Sequence, residues 1–194
     1  MTDAPDDGLS QRVARLTSMP LFPFTGELAM KPLGELLAHE LVREGESPDR
    51  PCRSCGAHDD VLWHNERWKV TRMHPSANPV GVFLETVEHV DFEDFDDVLA
   101  AEYGVLTRHL EAAIRGVEAV GRVHIHRWGD GSAHFHVWFQ GRPARRLELY
   151  GWGDVLWSQL LPALPADELA AHQEQVLREF ARTAGGTVVR AALS

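Results

Sequence analysis

Apolar and polar residues alternate with a period of two through Arg122-Val-His-Ile-His-Arg-Trp128 and again through His134-Phe-His-Val-Trp-Phe139. That is the pattern of strands with one buried face. Gly129-Asp-Gly-Ser132 lies between them and has turn chemistry, so the two runs read as a hairpin. In the second run His134, His136 and Trp138 share one face, while Phe135, Val137 and Phe139 share the other.

The remaining chain supplies further strands and a few helices. Val61–His64 and Arg67–Thr71 flank Asn65-Glu66 as a second hairpin, and Val80–Glu85 is the next strand, followed by Val87–Val90. From Asp91, an acidic N-cap, a long helix is expected to about Val120, because Phe92, Phe95, Val98, Leu99, Leu106, Leu110, Ala113, Ile114 and Val117 fall mostly three or four apart. Gly121 would end it. A second clear helix runs from Ala166 to about Thr183, stopped by Gly185-Gly186. Upstream, a short amphipathic helix over Leu9–Leu16, a short strand over Gly26–Lys31 and a helix over Gly34–Arg43 are expected, the last from the spacing of Leu36, Leu37 and Leu41. Residues 1–8 read as a frayed acidic tail and residues 45–51 as a linker. The fold class is α+β: a mostly antiparallel sheet of five or more strands packed on one long helix, with extra C-terminal helices.

Composition narrows the partners. With 44% hydrophobic and 25% charged residues this is an ordinary globular chain. Its 19 basic residues against 29 acidic ones argue against an extended nucleic-acid surface and leave room only for a local anion site. No apolar run approaches the roughly 20 residues that span a bilayer, and the first residues lack signal-peptide character. A cytoplasmic protein with no membrane partner is therefore expected. In a reducing compartment the only two cysteines, Cys52 and Cys55, make a metal half-site or a redox pair rather than a structural disulfide. No βαβ pattern surrounds them, which disfavours a thiol redox protein. Two thiolates need two further ligands to close a tetrahedral zinc site. His58, at Cys-x-x-Cys-x-x-His spacing, and more distant histidines all qualify. His124 and His126 read as ordinary strand residues.

The segment His134-Phe-His-Val-Trp-Phe-Gln-Gly-Arg142 resembles the histidine triad (HIT) motif, His-φ-His-φ-His-φ-φ with φ apolar. It departs from the motif at Trp138, which stands where the third histidine would be. The galactose-1-phosphate uridylyltransferase branch of that superfamily also lacks this histidine and carries glutamine. A register slipped by two, with Ser132 in the first position, is the alternative; the first register also matches Arg142 to the motif's end. The resemblance covers about residues 51–143, and it implies an N-terminal extension over 1–50, a HIT-like domain over 51–143 and a C-terminal helical extension over 144–194.

The resemblance also implies chemistry. In the transferase branch, structural zinc is held by a Cys-x-x-Cys pair, a histidine before the long helix and the first histidine of the motif. Those positions match Cys52, Cys55, His89 and His134, and favour His89 over His58. His136 matches the nucleophile that attacks a nucleotide's α-phosphorus and forms a nucleotidyl-histidine intermediate. Gly131 and Ser132, in the preceding turn, and Trp138 would contact phosphate and substrate. Trp63, Asn65, Arg72 and His74 are candidates for base and ribose by position only. The implied ligand is a nucleotide or nucleotide conjugate, and the implied state a homodimer. The implied function is nucleotidyl hydrolysis or transfer, against which stands a catalytically weak or inactive zinc-stabilised nucleotide-binding domain. Trp138 has only an indole N–H to offer and no proton to transfer, so slow turnover is expected.

Overall fold

The period-two runs become strands of one sheet. The structure is a computed structural model and describes residues 7–56 and 59–189. The chain divides into two compact units, Met1–Glu40 with Arg145–Leu161, and Leu41–Ala144 with Pro162–Ser194. The larger unit contains strands β1 (Val61–His64), β2 (Trp68–Arg72), β3 (Val80–Thr86), β4 (Val120–His126), β5 (His136–Pro143) and β6 (Thr187–Val188), with helices α2 (Asp97–Arg115) and α4 (Ala166–Ala184). The six strands form an antiparallel sheet in the order β4-β5-β3-β2-β1-β6.

Alternation decides the two faces of that sheet. Val82 and Leu84 of β3, Val137 and Phe139 of β5, and Trp68 and Val70 of β2 are buried in one cluster with Leu106, Leu110, Ala113 and Ile114 of α2. Val176, Leu177 and Phe180 of α4 complete it, so the C-terminal helix is part of this unit's core. Trp63 is fully buried there, edge-on to Phe180 at 4.7 Å, and its Nε1 donates to Gly185 O at 2.8 Å. Gly186 has φ +79, and a Cβ on it would come within 2.4 Å of the Trp63 ring, so only glycine lets the chain turn there into β6.

The long helix is shorter than its apolar stripe suggested. Asp91 caps a 3-10 turn over Phe92–Asp94 through its own side chain, while Asp96 caps α2 by accepting from Leu99 N at 2.8 Å. Gly116 ends α2 before Val120 starts β4. Two competing caps thus divide one predicted helix. The smaller unit holds α1 (Asp7–Thr17) and α3 (Gly153–Trp157), and within it Trp157 Nε1 donates to Leu21 O at 3.0 Å.

Three expected elements do not form, the first being Val87–Val90, which bends away after β3 ends at Thr86. Gly26–Lys31 joins no ladder, and Gly34–Arg43 is not helical. Leu36 is fully exposed and Leu37 and Leu41 mostly so. A ten-residue helix without a surface to bury its stripe is marginal in water, and here nothing covers the leucines. The expected tail lies almost wholly outside the described residues, as does His58.

Candidate functional site

The second run carries its two histidines into different settings. β5 begins at His136, so His134 stands just outside the ladder instead of within the strand expected from residue 134. The chain between His126 and His136 is a nine-residue connection, wider than the tight turn expected at Gly129–Ser132. It is held from outside: Glu44 N donates to Gly131 O at 3.0 Å, Ala133 N donates to Glu44 O at 2.9 Å, and Phe135 N donates to Val90 O at 2.8 Å. Glu44, just ahead of the stretch expected to be a linker, and Val90 therefore fasten the histidine loop.

His134 is almost fully buried. Its Nε2 is 2.8 Å from Thr86 O, and since a carbonyl only accepts, Nε2 holds the proton and Nδ1 presents its lone pair. Nδ1 lies 3.4 Å from Sγ of Cys52 and 3.4 Å from Sγ of Cys55. On the other side of Cys55, His89 Nδ1 is 3.3 Å from the sulfur. The ligand atoms of Cys52, Cys55, His89 and His134 all fall within 4.8 Å of one another. Burial pushes His134 down to about 4, keeping it neutral; burial, with the Cys52 thiol beside it, pushes Cys55 up to about 11. Two soft thiols and two imidazoles, one already oriented by a backbone carbonyl, fit a tetrahedral metal such as zinc. A bound cation would reverse the thiol shift by favouring thiolate.

The knuckle is anchored on both sides. Lys69 and Glu85, nearly buried cross-strand partners, pair at 3.4 Å, and Lys69 Nζ also donates to Ser54 O between the two cysteines. Gly45 has φ +87, and a Cβ there would lie 2.3 Å from His89 Cε1, so a side chain would drive the imidazole from the thiols. Arg43 and Arg127 both reach Asp91, two residues beyond His89, with Arg43 Nη1 at 2.6 Å. Burial alone would raise Asp91, but the Phe92 N–H and the two guanidiniums outweigh it and hold the carboxyl below the usual range. Arg43, Glu44, Gly45 and Lys69 were not singled out as site residues in the sequence, and Asp91 only as a helix cap. Only the glycine between charged residues gave any signal.

His136 lies on the other face of the ladder from Val137 and Phe139. Its Nδ1 is 2.8 Å from His134 O, which again fixes the proton on that nitrogen and leaves Nε2 with a free lone pair. Glu85 is its cross-strand partner. Trp138 sits beside it among Phe83 at 4.6 Å, Trp128 at 5.8 Å and His126, whose ring is stacked on the indole at 5.6 Å and 14°. Ser132 Oγ accepts from His134 N at 3.1 Å, so that hydroxyl helps shape the loop. Of the base and ribose candidates, Trp63 is core and Asn65 Oδ1 accepts from Arg67 N and Trp68 N to close the β1–β2 turn. Arg72 and His74 line a cleft of about 180 Å³ shared with the first turns of α4. No helix among the described residues is long and apolar enough to cross a membrane.

No protein-family model matches the chain, and no curated protein does. Among solved structures, the histidine triad protein blr8122 from Bradyrhizobium japonicum is similar with a TM-score of 0.53 at 17% identity, over 64% of this chain and 97% of that one. The antiparallel sheet and its helices are HIT-like in fold. At that identity the likeness is one of fold.

Proposed function

We propose that the chain is a nucleotide-binding HIT-like protein that acts as a nucleotidyl hydrolase or transferase through His136, beside a structural zinc held by Cys52, Cys55, His89 and His134. The observation that carries this reading is the relay of two tautomers. His134 directs its lone pair at the thiols, and its backbone carbonyl fixes the Nδ1 proton of His136. Zinc, when bound, supplies no reacting water, because four protein ligands close its coordination shell.

Nε2 of His136 is then the nucleophile: a neutral imidazole, held on a strand, attacks the α-phosphorus, and water or an acceptor later takes the nucleotidyl group. Gly131 and Ser132 precede His136 in the connection, and their backbone N–H groups would receive non-bridging oxygens. Trp138 offers those oxygens one indole N–H. Purified protein should contain about one zinc per chain, with ligands at roughly 2.0–2.3 Å. Incubation with a panel of nucleoside phosphoramidates, dinucleoside polyphosphates and nucleotide sugars, followed by rapid quench and peptide mass spectrometry, should find a nucleotidyl adduct on His136. His136→Gly should carry none.

Trp138 favours a second reading, a zinc-stabilised binding domain without turnover. Nucleotide binding with no adduct on His136 from any member of the panel would decide for it.

A further inference from the structure

Trp138 removes from β5 the imidazole that would protonate a leaving group, yet the ladder returns one from the neighbouring strand. His126 and Trp138 are direct cross-strand partners in β4 and β5. Their side chains therefore emerge on one face with Cβ atoms about 4.5–5.5 Å apart. The imidazole lies nearly parallel to the indole, at 5.6 Å between centroids and 14° between planes. Trp128 closes on it at 4.8 Å and is itself 55% exposed. His136 is two residues from Trp138 on the same face, which makes it the diagonal neighbour of His126, at about 7–8 Å along the ladder. Both imidazoles thus stand on the same face of the sheet, on either side of the pairing position that Trp138 holds.

We infer that His126 is the proton donor to the leaving group, a catalytic residue moved one strand over from the place Trp138 occupies. The inference rests on the nucleotidyl-transfer reading of His136. As His136 Nε2 forms its bond to phosphorus, the bond from phosphorus to the leaving oxygen or nitrogen breaks with its electron pair on the leaving atom. The imidazolium of His126 gives that atom a proton and becomes neutral. In the second step water attacks the nucleotidyl phosphorus, His126 takes a proton from it, and the bond to His136 breaks. Atoms and charge balance, and His126 returns to its starting form. Trp138 serves as the flat wall that orients the ring.

The test uses two esters of adenosine, guanosine, cytidine and uridine 5′-monophosphate. The ethyl ester leaves as an alkoxide that needs a proton; the p-nitrophenyl ester leaves as a stable anion. His126→Phe keeps a flat ring on Trp138 and removes the proton. Turnover of the ethyl ester should fall by about 10² to 10⁴, the range of general acid catalysis, and that of the p-nitrophenyl ester by far less. Added imidazole should restore ethyl-ester turnover to His126→Gly. Equal losses on both esters in His126→Phe, or no loss on either, would overturn the inference while His136 is still labelled. So would wild-type protein that labels His136 with the p-nitrophenyl ester but never turns over the ethyl ester. Wild-type protein that labels His136 with neither ester would remove the nucleotidyl reading itself, and this inference with it.

Discussion

The two faces of the sheet are built by alternate residues of the same strands, and they carry opposite loads. The face under α2 and α4 holds Leu84, Val137 and Phe139, each nearly inaccessible to solvent. The other face, over the same residues of β3 and β5, holds Glu85, His136 and Trp138, with Lys69 and His126 across from them. A one-residue step along β5 therefore moves from a position that holds the fold to one that holds chemistry. The metal cluster belongs to neither face, since His134 leaves the ladder before β5 begins. It links them: His134 is buried like the covered face and is hydrogen-bonded to His136 on the other.

That division can be broken by substitution. The largest effect is expected at the link. Cys52→Ser should lower zinc from about one per chain to near zero by metal analysis, and cost several kcal/mol in denaturant unfolding, because metal binding and folding are coupled. Next comes the covered face. Phe139→Ala should cost about 3–5 kcal/mol, yet the fraction that remains folded should still label His136; loss of labelling in stable protein would break the division between faces. On the other face, His136→Ala should abolish the nucleotidyl adduct while changing unfolding free energy by less than about 1 kcal/mol. A destabilisation as large as that of Phe139→Ala would show that both faces hold the fold.

The smallest expected effect sharpens the rim of the covered face. Glu102 of α2 accepts from Arg67 Nε at 2.8 Å and from Trp68 Nε1 at 3.0 Å, and the Arg67 hydrogen bond, followed by these other contacts, holds its carboxyl below the usual range. Because the folded carboxyl releases its proton more readily than the unfolded one, its contribution is present above the unfolded value, about 4.5, and is lost as pH falls through the folded value. Glu102→Gln should then cost about 0.5 kcal/mol at pH 7 and progressively less as pH falls below about 4.5, in unfolding curves compared with wild type.

Much of this was legible in residue order. The alternation over 122–128 and 134–139 located β4, β5 and their faces, and the three- and four-residue spacing located α2 and α4, because burial of one side of a strand or helix leaves a period in the sequence. The Leu36, Leu37 and Leu41 spacing was equally periodic and formed no helix, since a stripe is a helix only where a surface receives it. The resemblance singled out Cys52, Cys55, His89 and His134 together, and these four converge.

What the sequence by itself determined is the set of elements and the inventory of chemistry: which residues face inward, two thiols at knuckle spacing, and an imidazole two residues from another. What only the tertiary structure decided is which nitrogen of each imidazole keeps its proton, how Arg43, Glu44 and Asp91 fasten the loop, and that His126 stands across from Trp138. Tautomers follow from which carbonyl lies within hydrogen-bond reach, and cross-strand partners follow from register. Both depend on pairing between segments distant along the chain, to which local periodicity is blind.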